Sequence, residues 1–329
     1  MRSQVRTRWL QITLTGLLSV PLLMSASVRS GAQVPDLGID ADMHQKVIFP
    51  SGALSVINTD ISSYPVDPNS ATLMASIGLT SPLHPDFGTT YQNKPIGMDY
   101  IVVPGTQALV PITFTDPSES DPSPYPIPSN APIEGGSKSK GDRHVLVIDR
   151  DNWVLWEMYD AYEQNGGASW SCGSGAMFNL TTGAERPICW TSADAAGLPI
   201  FPLLIRYDEA VTHGVIPHAL RFTVSTTQHA FTDPARHYAS SNTSSSVPPM
   251  GMRIRLKASV DISGYSATNQ AILTALKKYG AFLADNGSNM YVSGAHDTRW
   301  NDTDLHNLTK LTANDFEVVQ MGTIVTSCP

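Results

Sequence analysis

Residues 144–160 read HVLVIDRDNWVLWEMYD, and this stretch decides the fold class of the chain. The nearly continuous apolar run from His144 to Asp149 is typical of a strand that is covered on both faces. Residues 149–152 are a turn signal, and Trp153 to Asp160 read as the return strand. The stretch therefore predicts an antiparallel hairpin within a β-rich protein.

The composition agrees with a β-rich fold. Charged residues make up 15% of the chain, and Gly and Pro number 24 each, which favours short strands joined by turns and loops. We expect a mostly β fold, a sandwich or jelly roll, with one packed helix. Asn286-Gly287 tolerates positive φ and predicts a second hairpin turn. Further strands are predicted at residues 99–103, 108–114, 176–180, 218–224, 253–260, 281–285, 290–293 and 316–321.

One helix has clear start and stop signals. Ser266 is a good N-cap, apolar residues recur at helical spacing as far as Tyr279, and Gly280 ends the pattern. Shorter helices are predicted at residues 70–77 and from Asp302 onward.

The first 32 residues have the layout of a secretory signal peptide. Arg2, Arg6 and Arg8 precede an apolar run at residues 9–24, and small residues follow up to Ala32. The run is short for a membrane span, which needs about 20 residues, so a retained anchor helix is the less favoured alternative. We expect the protein to be secreted and to leave the membrane after cleavage.

The remaining chain divides by composition into two parts. Residues 33–141 are predicted to form a loop-rich segment that wraps the body, and residues 142–329 a β-rich core domain. The stretch 116–141 is rich in Pro and then in Gly and Ser, so it is either a linker or, as we favour, a long surface loop.

The charge balance limits the class of partner. Removal of residues 1–32, which carry four Arg and no acid, would move the net charge from −8 to about −12. An acidic surface argues against nucleic acid and against anionic membranes. The sequence contains no glycine pattern of a nucleotide site, so no cofactor is expected. The oligomeric state stays open.

The chain has three cysteines. Cys172 and Cys189 lie 17 residues apart and are predicted to form a disulfide, which leaves Cys328 free or in place of one of them. No Cys or His spacing matches a zinc motif, so no metal site is predicted. The fragment from Cys172 to Gly175 matches only part of the nucleophile elbow of serine hydrolases.

Cationic side chains share strand faces. Arg253, Arg255 and Lys257 alternate along one strand, and Arg221 lies on another. If the two strands are neighbours, these side chains form a band that could bind carboxylate or sulfate groups. The alternative is that they pair with the excess acids of the protein itself.

Aromatic side chains and an acid share a face of the return strand. Trp153, Glu157 and Tyr159 alternate there, and rings beside a carboxylate are typical of sugar sites. Glycoside hydrolysis needs two carboxylates, of which Glu157 is the first candidate. The alternative is that the rings belong to the core and the acid to the surface. The candidate second carboxylates are Asp194, Asp208, Glu209 and Asp285.

Several strings of the sequence resemble a group of secreted, mainly bacterial proteins that are usually labelled hypothetical. The resemblance spans residues 45–320, implies an exported single-domain product and carries no activity. The strings lie at residues 142–151, 190–199, 206–209, 218–223, 248–251, 276–280 and 284–287.

These patterns favour an exported carbohydrate-active enzyme that cleaves a polysaccharide by hydrolysis or by lyase chemistry. The alternative is an extracellular glycan-binding or adhesion module without catalysis. The candidate catalytic residues are Glu157, Asp194, Glu209 and Asp285, and the candidate substrate-binding residues are Trp153, Tyr159, Arg221, Arg253, Arg255 and Lys257.

Overall fold

The computed structural model describes residues 34–43 and 46–328, which form a mostly β structure with few helices. The predicted signal peptide, residues 1–32, lies outside the described residues. The strands are β1 (Gly38–Ile39), β2 (His84–Asp86), β3 (Thr90–Tyr91), β4 (Lys94–Pro95), β5 (Tyr100–Val103), β6 (Ile112–Phe114), β7 (Val145–Asp149), β8 (Val154–Tyr159), β9 (Tyr162–Gln164), β10 (Ser169–Cys172), β11 (Ser174–Asn179), β12 (Leu220–Val224), β13 (Phe231–Thr232), β14 (Arg253–Leu256), β15 (Ala281–Asn286), β16 (Tyr291–Ser293), β17 (Phe316–Val318) and β18 (Ile324–Val325). The helices are α1 (Ser70–Ile77), α2 (Ala267–Lys278) and α3 (Asp302–Leu305).

Two mixed sheets carry most of these strands. The first sheet has five strands in the order β1-β5-β7-β8-β11, and the second has six in the order β17-β14-β15-β12-β16-β2. Apolar side chains of both sheets meet in one core, for example Tyr100 and Leu155 from the first with Phe222 and Leu283 from the second. The region between the two sheets is therefore the interior of the molecule.

The β7–β8 hairpin lies within the first sheet, as the sequence predicts. The two strands pair antiparallel from Val145 and Met158 to Asp149 and Val154. Every residue of β7 is buried, because β5 covers its other edge and apolar side chains cover both faces. The Asp149 carboxylate closes the turn by accepting hydrogen bonds from the backbone N–H groups of Asp151 and Asn152, at 3.1 and 2.9 Å.

Segments before residue 142 contribute to both sheets. Strand β5 lies between β1 and β7, and β2 pairs with β16 at the edge of the second sheet. The Pro-rich stretch 116–141 places Tyr125 and Ile127 in a second, smaller core on the other face of the first sheet. Residues 33–141 thus contain strands that belong to both large sheets, in addition to the loops that the sequence predicts.

The predicted helices are present. Helix α1 begins and ends where the sequence indicates. In α2 the Ser266 hydroxyl accepts a hydrogen bond from the backbone N–H of Asn269, and Ile272 and Leu276 are buried on one face. The N-cap and the apolar stripe are local signals, which is why the sequence reveals this helix.

The order of strands in the second sheet corrects two predictions. Asn286-Gly287 does not close a hairpin, because β12 lies between β15 and β16 and pairs with both. Likewise β12 and β14 are not neighbours, since β15 separates them. The predicted cationic band, which required those two strands to be adjacent, therefore does not form.

The predicted disulfide between Cys172 and Cys189 is wrong. Cys189 pairs with Cys328, and Cys172 is a buried free cysteine at the end of β10. Strand β18 pairs with β13 and so brings the C-terminal residues next to the loop that carries Cys189. Cys328 is therefore close to Cys189 in space although it is distant in sequence. In the part of the chain that the structure describes, no helix is long and apolar enough to cross a membrane.

Replacing Cys328 by Ser should destabilise the protein strongly. The bond closes a loop of 139 residues, and loss of such a constraint costs about 5 kcal/mol in the chain-entropy description. Urea unfolding of Cys328→Ser against the parent measures the loss. Cys172→Ala is the matched control, because it keeps the bond. An unchanged unfolding free energy in Cys328→Ser, or reactive Cys189 in the native parent, would contradict the assignment.

Candidate functional site

A cavity of about 540 Å³ opens between the ends of the two sheets. Tyr159 at the end of β8 and Ser174 at the start of β11 line it from the first sheet, while Asp285 and Asn286 at the end of β15 line it from the second. The cavity is rich in carboxylates. Its other lining residues are Asp116, Glu119, Asp142, Thr191, Ser192, Ala193, Asp194, Ala195, His237 and Ala239.

A buried ion pair fixes one wall of the cavity. Arg221 on β12 donates from Nε to Asp194 Oδ2 at 2.9 Å and from Nη2 to Asp194 Oδ1 at 2.7 Å. A third guanidinium nitrogen, Nη1, donates to the Ser293 hydroxyl at 2.5 Å. Both charged side chains are buried, and a buried charge of either sign is tolerated only when it is paired and hydrogen-bonded. The loop that carries Asp194 is therefore locked against the second sheet.

Asp285 is an acid that titrates near neutrality. Burial is the main cause that raises its pKa to about 7, and the negative charge of Asp194 raises it further. Arg221 and His144 oppose this shift without cancelling it. The cavity thus contains a carboxyl group that can give or take a proton close to pH 7.

A second buried pair supports the same loop from the first sheet. His144 Nδ1 lies 2.7 Å from Glu134 Oε2, and His144 Nε2 lies 3.0 Å from the carbonyl oxygen of Ala193. Burial alone would lower the pKa of His144, but the Glu134 carboxylate outweighs it and raises the pKa to about 9. With both ring nitrogens facing acceptors, His144 donates two hydrogen bonds as an imidazolium ion.

Glu157, the first catalytic candidate, is fully buried and does not line the cavity. Its Oε1 accepts hydrogen bonds from the backbone N–H groups of Ile200 and Phe201, both at 2.9 Å. Burial raises its pKa to about 7, although these two N–H groups favour the ionised form. Glu157 therefore anchors the 190–204 loop to β8 and has no route to a substrate in this arrangement.

The other acidic candidates lie elsewhere. Glu209 Oε1 accepts from Arg206 Nη2 at 2.6 Å, and Glu209 Oε2 lies 3.0 Å from His218 Nε2. These three residues line a separate cavity of about 120 Å³. Asp208 accepts a hydrogen bond from the backbone N–H of Met43.

The cationic candidates on β14 bind the backbone of the protein itself. Arg253 donates to the carbonyl oxygens of residues 56, 59 and 279, and Arg255 donates to those of residues 61, 62 and 64 and to the Glu317 carboxylate. Lys257 donates to the carbonyl of Asn314. Trp153 is buried beneath Lys46, whose Nζ lies 4.1 Å from the ring centroid. These side chains therefore do not share a groove with Tyr159.

Three of the predicted site residues do come together. Tyr159, Asp194 and Asp285 line one cavity, and Arg221 lies directly behind Asp194. Sequence reasoning missed several acids of this wall, because they lie in loops with no periodic pattern. His144 gave a signal that could have been used, since a charged residue at the head of an apolar strand requires a buried partner. The missed lining residues that ionise are Asp116, Glu119, Asp142 and His237.

One missed residue has a defined orientation in the wall. His237 Nδ1 lies 2.8 Å from the carbonyl oxygen of Ala195, which fixes the ring. Its Nε2 faces Glu119 at 3.8 Å. The loop that carries Asp194 therefore also holds an imidazole at the wall of the cavity.

Comparison of the chain with protein-family models, with curated proteins and with solved structures finds no match. Function is therefore inferred from the residues of the cavity.

The His144–Glu134 pair should make stability depend on pH. A histidine whose folded pKa is about 9, against an unfolded value of about 6.5, contributes stability that is complete below the unfolded value and is lost as pH rises through the folded one. The free energy of unfolding should therefore fall between about pH 6.5 and 9, and His144→Gln should remove this part of the slope. Urea denaturation across that range measures it.

His306→Gln is the control, since His306 is exposed. It should retain the slope of the parent. An identical pH dependence in the parent and in His144→Gln would show that the pair does not hold the proton.

Proposed function

We propose that the chain is an exported glycoside hydrolase that acts in the cavity between the two sheets, with Asp285 as the proton donor. The observation that carries the proposal is the placement of Asp285 beside the Arg221–Asp194 pair. The Asp194 carboxylate is paired with Arg221, and its negative charge helps Asp285 to keep its proton. Carboxyl groups whose environments separate their proton affinities are the usual basis of acid and base roles.

Asp285 would protonate the oxygen of the glycosidic bond as that bond breaks. The sugar then carries positive charge, water adds to its anomeric carbon, and a second carboxylate takes the proton that water releases. The second carboxylate then releases this proton to solvent and Asp285 takes one up, so both residues return to their starting states. Asp194 acts here as a positioning residue, since both of its oxygens are already bound by Arg221.

Asp142 is the second carboxylate in this proposal. It is exposed and lines the same cavity as Asp285 and Tyr159, and burial together with the negative charges of both acids raises the pKa of the Tyr159 phenol. Tyr159 is 40% exposed, so part of its ring is accessible to the apolar side of a sugar ring. Acid, base and platform would then lie at one place.

The charge of the cavity favours neutral or cationic sugars. Five carboxylates line it, and Arg221, which lies behind its wall, is neutralised by Asp194. A uronic polysaccharide would bring further negative charge, and the cationic band that was expected to neutralise it does not form. The charge of the cavity therefore favours hydrolysis of neutral or cationic sugars over lyase cleavage of a uronic polysaccharide.

We infer a sandwich-like frame, because side chains of both large sheets share one core. Export is inferred from the predicted signal peptide, and a disulfide is the kind of bond that persists in an oxidising compartment.

Asp285→Asn should abolish hydrolysis while the glycan still binds. Loss of a general acid lowers kcat by about 100-fold or more. In the parent, activity should fall as pH rises through about 7, because the donor must be protonated. Release of reducing ends from oligosaccharides of glucose, xylose, mannose and glucosamine, with pectate as the anionic comparison, measures turnover, and calorimetry measures binding.

Asp160→Asn is the matched control. Asp160 lies at the same strand end and near Tyr159 but does not line the cavity, so activity should be retained. Asp142→Asn should lose activity as Asp285→Asn does. If the parent binds a glycan without turnover, the protein is a binding module and not an enzyme. If it shows neither binding nor turnover, the proposal is wrong.

A further inference from the structure

A second cluster of ionisable side chains lies outside the cavity. Asp40 follows β1, Asp99 precedes β5, and His296 follows β16. One potential ligand atom of each residue lies within 4.8 Å of those of the other two. All three side chains are partly exposed, so an ion could reach them from solvent.

The backbone holds these residues in place. The Asp40 N–H donates to the carbonyl of Tyr100 at 3.0 Å, and Asp40 Oδ1 accepts from the Tyr100 N–H at 3.2 Å. On the other side, His296 Nδ1 lies 2.8 Å from Asp99 Oδ1. The three side chains are thus oriented toward one another by contacts that do not involve a ligand.

The two carboxylates of the cluster have no lysine or arginine partner among the described residues. The nearby Asp297 carboxylate is held by Arg299. Two adjacent carboxylates repel each other unless a proton or a metal ion lies between them. The imidazole beside them distinguishes the group from an ordinary acidic patch, because imidazole and carboxylate together are the ligand set of zinc-class ions.

We propose that Asp40, Asp99 and His296 bind one zinc-class divalent ion. Two ligand atoms of a single zinc ion lie about 3.4 Å apart at a tetrahedral angle, so atoms within 4.8 Å of one another reach this geometry by small side-chain rotations. Three protein ligands leave a position for water. Binding displaces any proton shared by the carboxylates or held on the ligating imidazole nitrogen, so protons are released to solvent.

The ion would join three segments that are distant in the chain. Strand β1 is two residues long and, among the described residues, pairs only with β5, so the ion would add a further link between the segment around Asp40 and the first sheet. His296 follows a strand of the second sheet, so the same ion would also connect the two sheets. The site is independent of the proposed hydrolysis, because none of its three residues lines the large cavity.

The test is zinc binding by the full chain after treatment with a chelator. Calorimetric titration with zinc chloride should show one site, confirmed by metal analysis after gel filtration. Asp40→Asn, Asp99→Asn and His296→Ala should each weaken binding at least about tenfold, which is the loss that follows even from removing a residue that merely orients a ligand. Cobalt(II) in place of zinc should give visible absorbance that each variant abolishes.

Two controls separate ligation from other effects. Asp297→Asn removes a nearby charge that is not a ligand, so its effect should be smaller than that of the three ligand variants. His237→Ala tests binding at the large cavity and should leave the stoichiometry unchanged. The proposal is overturned if the parent binds no zinc, or if binding survives all three ligand substitutions. Retained binding after Asp40→Asn alone would remove Asp40 from the site and with it the link to β1.

Discussion

The Arg221–Asp194 ion pair is the interaction on which the cavity depends. The loop from residue 190 to 204 has little regular structure, yet it is buried between two sheets, so its polar groups need partners there. Arg221 holds it from the second sheet, while His144 and Glu157 hold it from the first. Removing one partner would leave a buried charge unpaired, which costs far more than the pair itself contributes. The position of the wall and the proton affinity of Asp285 both follow from this anchorage.

Most arginines that the structure describes in detail also hold irregular segments in place. Their guanidinium groups donate to backbone carbonyls of irregular segments, as Arg253 and Arg255 do with the chain between residues 56 and 64. Arg143 similarly binds the carbonyls of residues 137, 139 and 161. A planar group with five donors suits loops whose carbonyls find no strand or helix partner. This explains why a chain with few charges buries several of them.

Local signals in the sequence were sufficient for individual elements. The hairpin of β7 and β8, helix α1 and helix α2 with its Ser266 cap follow from patterns within about 15 residues. Pairing between distant segments was not readable. The insertion of β12 between β15 and β16, and the bond from Cys189 to Cys328, depend on strand order, which no local pattern encodes. The sequence indicates Tyr159, Asp194 and Asp285 as candidates. It does not separate the two acids that line the cavity from Glu157, which is also a carboxylic acid but is buried away from it.

The placement of β5 and β2 has a consequence for how the chain reaches its final state. Each belongs to the first third of the sequence and pairs with a later strand, β5 with β7 and β2 with the distant β16. The isolated bridge between Val66 and Val319 spans about three quarters of the chain. Such topology is slow to assemble, because long loops must close before their contacts compensate the entropy lost. Strand β2 and the segment around Val66 therefore lack their native neighbours until residues in the last fifth of the chain have been made.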